Sequence, residues 1–161
     1  MKKILCFILS FVFLIGCSSQ EKTVEDKDLL IYKKVKDELV SRQEFDADYP
    51  FDVRLTYNSI DNKYYYDIII DNVTVDMYYV KAVAFGNESE EQICPNVGIF
   101  DDEVYHLKKS YVDKVNHFYK GFQLSGTSDN KQTIRVYVGY YTDEDKSEFK
   151  ENYIEVKDEI R

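Results

Sequence analysis

From Phe51 onward, apolar and polar residues alternate with a period of two, and this alternation constrains the fold more than any other feature of the chain. The apolar positions of the first run are Phe51, Val53, Leu55 and Tyr57. Because successive side chains of a β-strand point to opposite faces, the run predicts a strand with one buried face. The pair Asp61-Asn62 supplies turn chemistry before residues 63–71 return in the same pattern. The sequence therefore predicts an antiparallel hairpin.

Further short strands follow the hairpin at similar spacing. In residues 72–85 the alternation slips near Tyr78-Tyr79, which indicates a bulge or two shorter strands. Clear alternation returns in residues 133–141. After a charged turn, residues 153–156 have the composition of a last strand.

The number and order of these segments favour one fold class. About seven short strands without a βαβ rhythm are typical of an antiparallel β-sandwich, and we predict an immunoglobulin-like arrangement over about residues 50–157. The Cys…Trp…Cys signature of that arrangement is absent, since the chain has no tryptophan. Residues 99–125 leave two interpretations open, a short helix that ends at Gly121 or a pair of irregular strands.

One N-terminal amphipathic helix is predicted before the strands, at about residues 27–45. Apolar residues recur there at three- and four-residue spacing, at Leu29, Tyr32, Val35, Leu39 and Val40. Asp26 or Asp28 can cap the first turn. We expect the apolar stripe to pack on the domain, since an exposed stripe promotes aggregation. The alternative is a helix that binds a partner.

The first 17 residues have a different character. Two lysines precede an apolar run that ends at Gly16, and this run is shorter than the roughly 20 residues of a membrane-spanning helix. It has the length of the apolar region of a secretory signal. The segment closes with Leu14-Ile15-Gly16-Cys17, and these four residues resemble the lipobox of bacterial lipoproteins.

This resemblance implies that the Cys17 thiol receives a diacylglyceryl group and that a peptidase cuts after Gly16. Residues 1–16 are then a signal peptide, 17–26 are the lipidated cysteine with a flexible tether, and 27–161 form a single domain. The lipid chains would anchor the domain durably. The expected location is the extracytoplasmic face of the cell membrane, or the outer membrane in a Gram-negative host.

The charge of the chain excludes one class of partner. There are 30 acidic and 21 basic residues, and the formal net charge is −9. Nucleic-acid phosphates are bound by clustered lysine and arginine, so we predict no nucleic-acid binding. An acidic surface also repels anionic lipid headgroups, so attachment to the membrane has to come from the lipid on Cys17.

Few residues have the pattern of a reactive site. Once the signal is removed and Cys17 is acylated, Cys94 is the remaining cysteine, and we interpret it as a small apolar residue beside a turn. His106 and His117 lack the neighbours of known catalytic or zinc motifs. The acidic clusters lack the spacing of a calcium-binding loop. We therefore predict no catalytic residue, no metal site and no cofactor.

Tyrosines are the most suggestive candidates for binding, and the chain contains 15 of them. On their predicted strands, Tyr65, Tyr137 and Tyr141 point away from the apolar face. Exposed tyrosines of this kind are enriched at interaction hot spots. These three residues are the candidate binding surface, and the alternative is that the N-terminal helix covers them.

Together these features favour a non-enzymatic, membrane-anchored module that binds a protein or an envelope component. The alternative is a lipoprotein that captures a small ligand or solute, which requires a concave pocket. The third hypothesis, a small hydrolase, would have to use His106 or His117.

Overall fold

The computed structural model describes residues 26–86 and 92–158, and these residues are mainly β-strand with one α-helix. The helix is α1, Lys27–Ser41, and a 3-10 turn spans Lys114–Asn116. The strands are β1 Asp52–Ile60, β2 Lys63–Asp71, β3 Tyr78–Phe85, β4 Asn96–Val97, β5 His106–Leu107, β6 Phe118–Tyr119, β7 Phe122–Ser128, β8 Ile134–Tyr141 and β9 Phe149–Val156.

Two antiparallel sheets contain most of these strands. The first sheet has the order β1-β2-β7, and the second has the order β4-β3-β8-β9. The two-residue strands β5 and β6 form a separate parallel pair. The prediction of a mainly β, antiparallel chain with one helix is therefore confirmed.

The predicted hairpin is present as β1 and β2. Their register runs from Asp52 opposite Asp71 to Ile60 opposite Lys63. The two turn residues both adopt positive φ, 50° at Asp61 and 63° at Asn62. Two-residue turns of this type match the right-handed twist of the strands that they join, and aspartate and asparagine tolerate the conformation.

The facing side chains of the two sheets form one apolar core. The first sheet contributes Tyr66, Ile68, Ile70 and Leu124, and the second contributes Val80, Ala82, Val136, Val138, Tyr140 and Ile154. Burial of each large aliphatic side chain stabilises the fold by about 1.5–3 kcal/mol. This core fixes the position of the second sheet, whose other face carries the helix.

α1 packs on the outer face of the second sheet and gives a second, smaller cluster. Its buried stripe is Tyr32, Val35 and Leu39, and the sheet residues beneath it include Val83, Tyr137 and Tyr153. The expectation that the stripe packs on the domain is confirmed. Cys94 is buried in the same cluster, as a packing residue would be.

The helix ends four residues earlier than predicted. It stops at Ser41, and Arg42 is already extended. The following segment pairs with β9 instead: the Asp46 N–H donates to the Tyr153 carbonyl at 2.7 Å, and an Asp46 carboxylate oxygen accepts from the Tyr153 N–H at 2.8 Å. This long-range pairing outweighs the local helical pattern of residues 42–45.

The irregular parts of the pattern also have structural counterparts. The register of β3 shifts between Tyr78 and Lys81, where the sequence alternation slips. Residues 99–125 contain a 3-10 turn as well as short strands, so each of the two interpretations describes part of the segment. β9 begins at Phe149, four residues before the predicted last strand.

Candidate binding groove

A groove with a volume of about 540 Å³ opens on the outer face of the second sheet, between α1 and residues 98–105. We call it the tyrosine groove because Tyr79, Tyr105, Tyr137, Tyr141 and Tyr153 line it. Ile31, Lys34 and Glu38 line its helical wall, and their three- and four-residue spacing places them on one side of α1. The volume lies in the range of about 300–1,000 Å³ that is typical of ligand sites.

Both ends of the helical wall are fixed by hydrogen bonds. At the N-terminus, Asp26 is the N-cap and its carboxylate accepts from the Asp28 N–H at 3.1 Å. At the C-terminus, Arg135 of β8 donates to the carbonyls of Leu39 and Val40 at 2.9 and 2.8 Å. These carbonyls have no partner within the helix, and a cation at this end also favours the helix dipole. The sheet therefore holds the wall in place.

Tyr137 and Tyr153 form the floor, with ring centroids 5.2 Å apart. The Tyr153 hydroxyl donates to a Glu38 carboxylate oxygen. Tyr137 is only 4% exposed, and its hydroxyl has no hydrogen-bond partner among the described residues. The ring is therefore buried while its hydroxyl, which is not one of the fully buried unpaired atoms, can form a hydrogen bond with a molecule in the groove.

Gly139 gives the Tyr137 ring its space. A Cβ at position 139 would collide with the Tyr137 hydroxyl and would also crowd the Phe149 ring. The Tyr137 side chain therefore extends along β8 over Gly139, and its hydroxyl end lies near Phe149, which also lines the groove. Burial, with the nearby Glu151 and Glu38 carboxylates, raises the pKa of Tyr137, so its hydroxyl stays protonated.

The end wall contains a strained residue, Tyr79. Its φ is 52°, a left-handed conformation that is unfavourable for a bulky side chain. Its ring faces Tyr141 at 6.2 Å, and the Lys146 ammonium lies 3.8 Å from the ring centroid. Backbone strain concentrates at functional sites, so the position of Tyr79 supports a role for this wall.

His106 holds the strained backbone in place. The Tyr79 N–H donates to His106 Nδ1 at 3.2 Å, so the proton of the neutral ring is on Nε2. His106 is 7% exposed, and this burial lowers its pKa. The charges of His117, Lys108 and Lys146 lower the pKa further, whereas the Glu144 carboxylate raises it. Its ring is packed against three aromatic rings, those of Tyr78, Tyr79 and Phe118.

The groove carries an excess of negative charge. Of the described residues that line it, six are acidic and four are lysines. Lys34 lies 3.8 Å from Glu38, and Lys81 lies 3.9 Å from Asp28. The acids Asp101, Asp102 and Glu103 are exposed on the opposite wall. A positively charged ligand would therefore find a favourable potential here.

The three tyrosines predicted from the sequence do not share a surface. Tyr65 is 42% exposed on β2 of the first sheet, whereas Tyr141 lines the tyrosine groove on the second sheet. Tyr137 is buried in the cluster beneath α1, so for this ring the structure shows the alternative in which the helix covers it. α1 packs over this face of Tyr137, and the residue is only 4% exposed.

Several groove residues were missed by the sequence interpretation, among them Tyr79, Tyr105 and Tyr153. The slip in alternation at Tyr78-Tyr79 was a usable signal for a strained position. No local pattern indicated Tyr105 or Tyr153, because they reach the groove from separate segments. A backbone hydrogen bond positions Tyr105 beside β3: its carbonyl accepts from the Val80 N–H at 2.8 Å.

Other candidate chemistry was considered over the same part of the chain. Within residues 26–86 and 92–158, no cluster of histidine, cysteine and acidic residues is placed to hold a metal ion. No helix in these ranges is long and apolar enough to cross a bilayer. The predicted signal residues Leu14, Ile15 and Gly16, the lipidated Cys17 and the tether before Asp26 lie outside the described residues.

Comparisons of the chain with known protein families, with curated proteins and with solved structures find no match.

Proposed function

We propose that this chain is a lipid-anchored extracytoplasmic lipoprotein whose domain binds a protein or an envelope component through the tyrosine groove, without catalysing a reaction. The motif Leu14-Ile15-Gly16-Cys17 supports the anchor. Lipid chains on Cys17 would keep the domain at the membrane while the groove remains open to partners.

The single observation that carries the binding function is the Tyr137 hydroxyl. It belongs to a residue that lines the groove, and none of the described residues forms a hydrogen bond with it. A phenol hydroxyl can both donate and accept a hydrogen bond. A ligand that pairs with this hydroxyl would gain a hydrogen bond without breaking one within the protein.

The order of the strands supports an immunoglobulin-like β-sandwich for the domain. If the strands β1, β2, β3, β4, β7, β8 and β9 are lettered A, B, C, C′, E, F and G, the sheets read A-B-E and C′-C-F-G. Immunoglobulin-like domains place A, B and E in one sheet and C, F and G in the other. The chain between C′ and E contains β5 and β6 where those domains have strand D.

The surroundings of His106 support a non-enzymatic role. A general base needs a free nitrogen lone pair within reach of a substrate. The Nδ1 lone pair of His106 already accepts from a backbone N–H, and the ring is enclosed by aromatic side chains. We therefore assign His106 a structural role in the end wall.

Photo-crosslinking in living cells tests the binding function. The photoreactive residue benzoylphenylalanine replaces Phe149, which lines the groove, or Tyr65, which lies on the first sheet. The two positions are matched in exposure, at 46% and 42%. We expect one dominant adduct from position 149 and none from position 65. An adduct only from position 65 would move the binding surface to the first sheet and contradict the proposal.

The anchor is tested separately by fractionation of cells. Wild-type protein is expected in the membrane fraction, labelled by a fatty acid fed to the cells. Cys17→Ala should lose both the label and the membrane association. A Cys17→Ala protein that stays with the membrane through carbonate washing would contradict lipid anchoring at this residue.

A second candidate function is the capture of a small ligand, which the volume of the groove favours. A volume of about 540 Å³ is large enough for a drug-sized molecule. Mass spectrometry of small molecules released from the purified lipoprotein distinguishes the two functions. A stoichiometric bound molecule, together with no crosslinked protein at position 149, would favour this candidate.

A further inference from the structure

We propose that the tyrosine groove recognises an arginine side chain presented by a partner protein. This inference rests on the proposed binding function and specifies the chemistry of its ligand. Three features of the groove support it. These are the charge of its walls, the contacts that its aromatic rings already make with cations of this chain, and the Tyr137 hydroxyl.

The charge of the groove favours a cationic ligand. Of the four lysines, Lys27 has no ion pair with a described residue. The other three are already engaged, since Lys34 and Lys81 pair with acids and Lys146 lies over a ring. In contrast, the Asp102 and Glu151 carboxylates have no hydrogen bond or ion pair with any described residue. The net charge of the chain adds long-range attraction for a basic partner and speeds its encounter.

Two rings of the groove already hold cations from this chain. The Arg42 guanidinium lies 3.7 Å from the centroid of the Tyr153 ring. The Lys146 ammonium lies 3.8 Å from that of Tyr79. A cation over a tyrosine face is stabilised by about 0.5–1 kcal/mol at an exposed site and by more when water is excluded. Tyr141 and Phe149, whose centroids are 5.1 Å apart, offer further aromatic surface beside them.

The Tyr137 hydroxyl distinguishes arginine from lysine. The phenol oxygen can accept a hydrogen bond, and the Glu151 carboxylate contributes to the field around it. A guanidinium presents five N–H donors in a rigid plane, so it can bond a phenol and a carboxylate while its face lies on a ring. An ammonium group is a compact point charge without such a plane, and we expect it to bind more weakly.

Calorimetric titration of the full-length lipidated protein in detergent micelles tests the proposal. The probes are blocked glycine–serine peptides that carry two arginines, two lysines or two citrullines. Citrulline keeps the planar shape of the side chain and lacks its charge. We expect the arginine peptide to bind about tenfold tighter than the citrulline peptide, a difference typical of one charge-assisted contact. Binding should weaken as salt is raised.

Variants locate the binding to the groove. Glu151→Gln and Asp102→Asn should each reduce the affinity for the arginine peptide severalfold, and Tyr137→Phe should reduce the preference for arginine over lysine. Glu155→Gln is the matched control, because it removes the same charge from the same strand at a position that does not line the groove. We expect it to leave the affinity within twofold of wild type.

Equal affinity for the arginine and citrulline peptides would overturn the proposal, as would affinity that all three groove variants leave unchanged. Tighter binding of tetramethylammonium than of the arginine peptide would identify a small cation as the ligand and also overturn it. If a protein crosslinks at position 149 while the arginine peptide shows no preference, the proposed function stands and this inference alone fails. If neither occurs, both fail.

Discussion

The two faces of the second sheet differ in what their side chains do, and β8 contributes to both. On the inner face, Val136, Val138 and Tyr140 pack against the first sheet in a continuous apolar core. On the outer face, Tyr137 and Tyr141 lie among a helix, charged side chains and a groove. Alternate residues of one strand thus contribute to the core on one face and to the proposed binding groove on the other, since neighbouring side chains point to opposite faces.

The two faces of the second sheet differ in how many polar groups their side chains carry. The inner core is mainly aliphatic, and its buried tyrosines are Tyr66 and Tyr140. The outer face uses tyrosines, which provide apolar rings for packing and hydroxyls that require partners. The Tyr153 hydroxyl finds Glu38, whereas the Tyr137 hydroxyl finds no partner among the described residues. We therefore expect substitutions on the two faces to separate changes in stability from changes in binding.

The largest effect on stability is expected from the inner face. Ile68 of β2 is fully buried in the core, and Ile68→Ala should lower the free energy of unfolding by about 2–5 kcal/mol, from lost burial and from the cavity left behind. Urea denaturation measures the change. Ile68→Val is the milder control and should lower the free energy of unfolding by only about 0.5–1.5 kcal/mol. If Ile68→Ala lowers it by less than about 0.5 kcal/mol, Ile68 does not lie in the core as described.

A smaller loss of stability is expected from Gly139, where the outer face is tightly packed. In Gly139→Ala, the new methyl group would meet the Tyr137 hydroxyl and the Phe149 ring. We expect a decrease of about 1–3 kcal/mol in the free energy of unfolding, as for other overpacked sites. The double variant Gly139→Ala/Tyr137→Phe should recover part of this loss, because the nearest colliding atom is gone. No recovery would contradict the placement of the Tyr137 ring over Gly139.

A pH-dependent loss is expected from His106. Because burial lowers its pKa below the usual 6.5, the unfolded chain takes up this proton at higher pH than the folded chain does. The stabilisation is complete above about pH 6.5, falls as the pH drops below that value, and levels off once the folded histidine is protonated. Urea midpoints measured between about pH 5 and 8 report the slope.

Two variants identify which histidine causes this dependence of stability on pH. His106→Gln removes the titrating group and should flatten the dependence on pH in this range. His117→Gln keeps the titrating His106 and should retain a slope, reduced in part because His117 is one of the groups that lower the pKa of His106. A slope that persists in His106→Gln would show that another group is responsible.

The smallest effect on stability is expected from Tyr137→Phe. This change removes a hydroxyl that forms no hydrogen bond with the described residues, so the free energy of unfolding should change by less than about 0.5 kcal/mol. Binding should nevertheless weaken, because the ligand loses its contact with the hydroxyl. A loss of stability above about 1 kcal/mol would mean that the hydroxyl has a structural partner, and would remove the main support for the groove.

Local patterns predicted the elements that local chemistry determines. The turn residues Asp61 and Asn62 identified the hairpin, and the spacing of Tyr32, Val35 and Leu39 identified the buried side of α1. The end of α1 was not predictable in this way, because it depends on Asp46 pairing with a strand more than a hundred residues later in the chain. Long-range contacts of this kind leave no periodic signal.

The groove was predictable only in part for the same reason. Tyr141 was a candidate from the alternation of its strand, and it does line the groove. The same alternation gave Tyr137 an outward position, but it contained no information on whether α1 covers that position. Tyr105 and Lys146 come from loops, and the sheet and helix bring them to the groove.

The most direct test of the separation between the two faces compares crosslinking yields from position 149 in cells. Tyr137→Phe changes the outer face at little cost in stability, whereas Ile68→Val weakens the core without touching the groove. We predict that Tyr137→Phe lowers the yield of the adduct severalfold and that Ile68→Val leaves it unchanged at equal protein levels. The opposite pattern, or equal yields in both variants, would contradict the assignment of binding to the tyrosine groove.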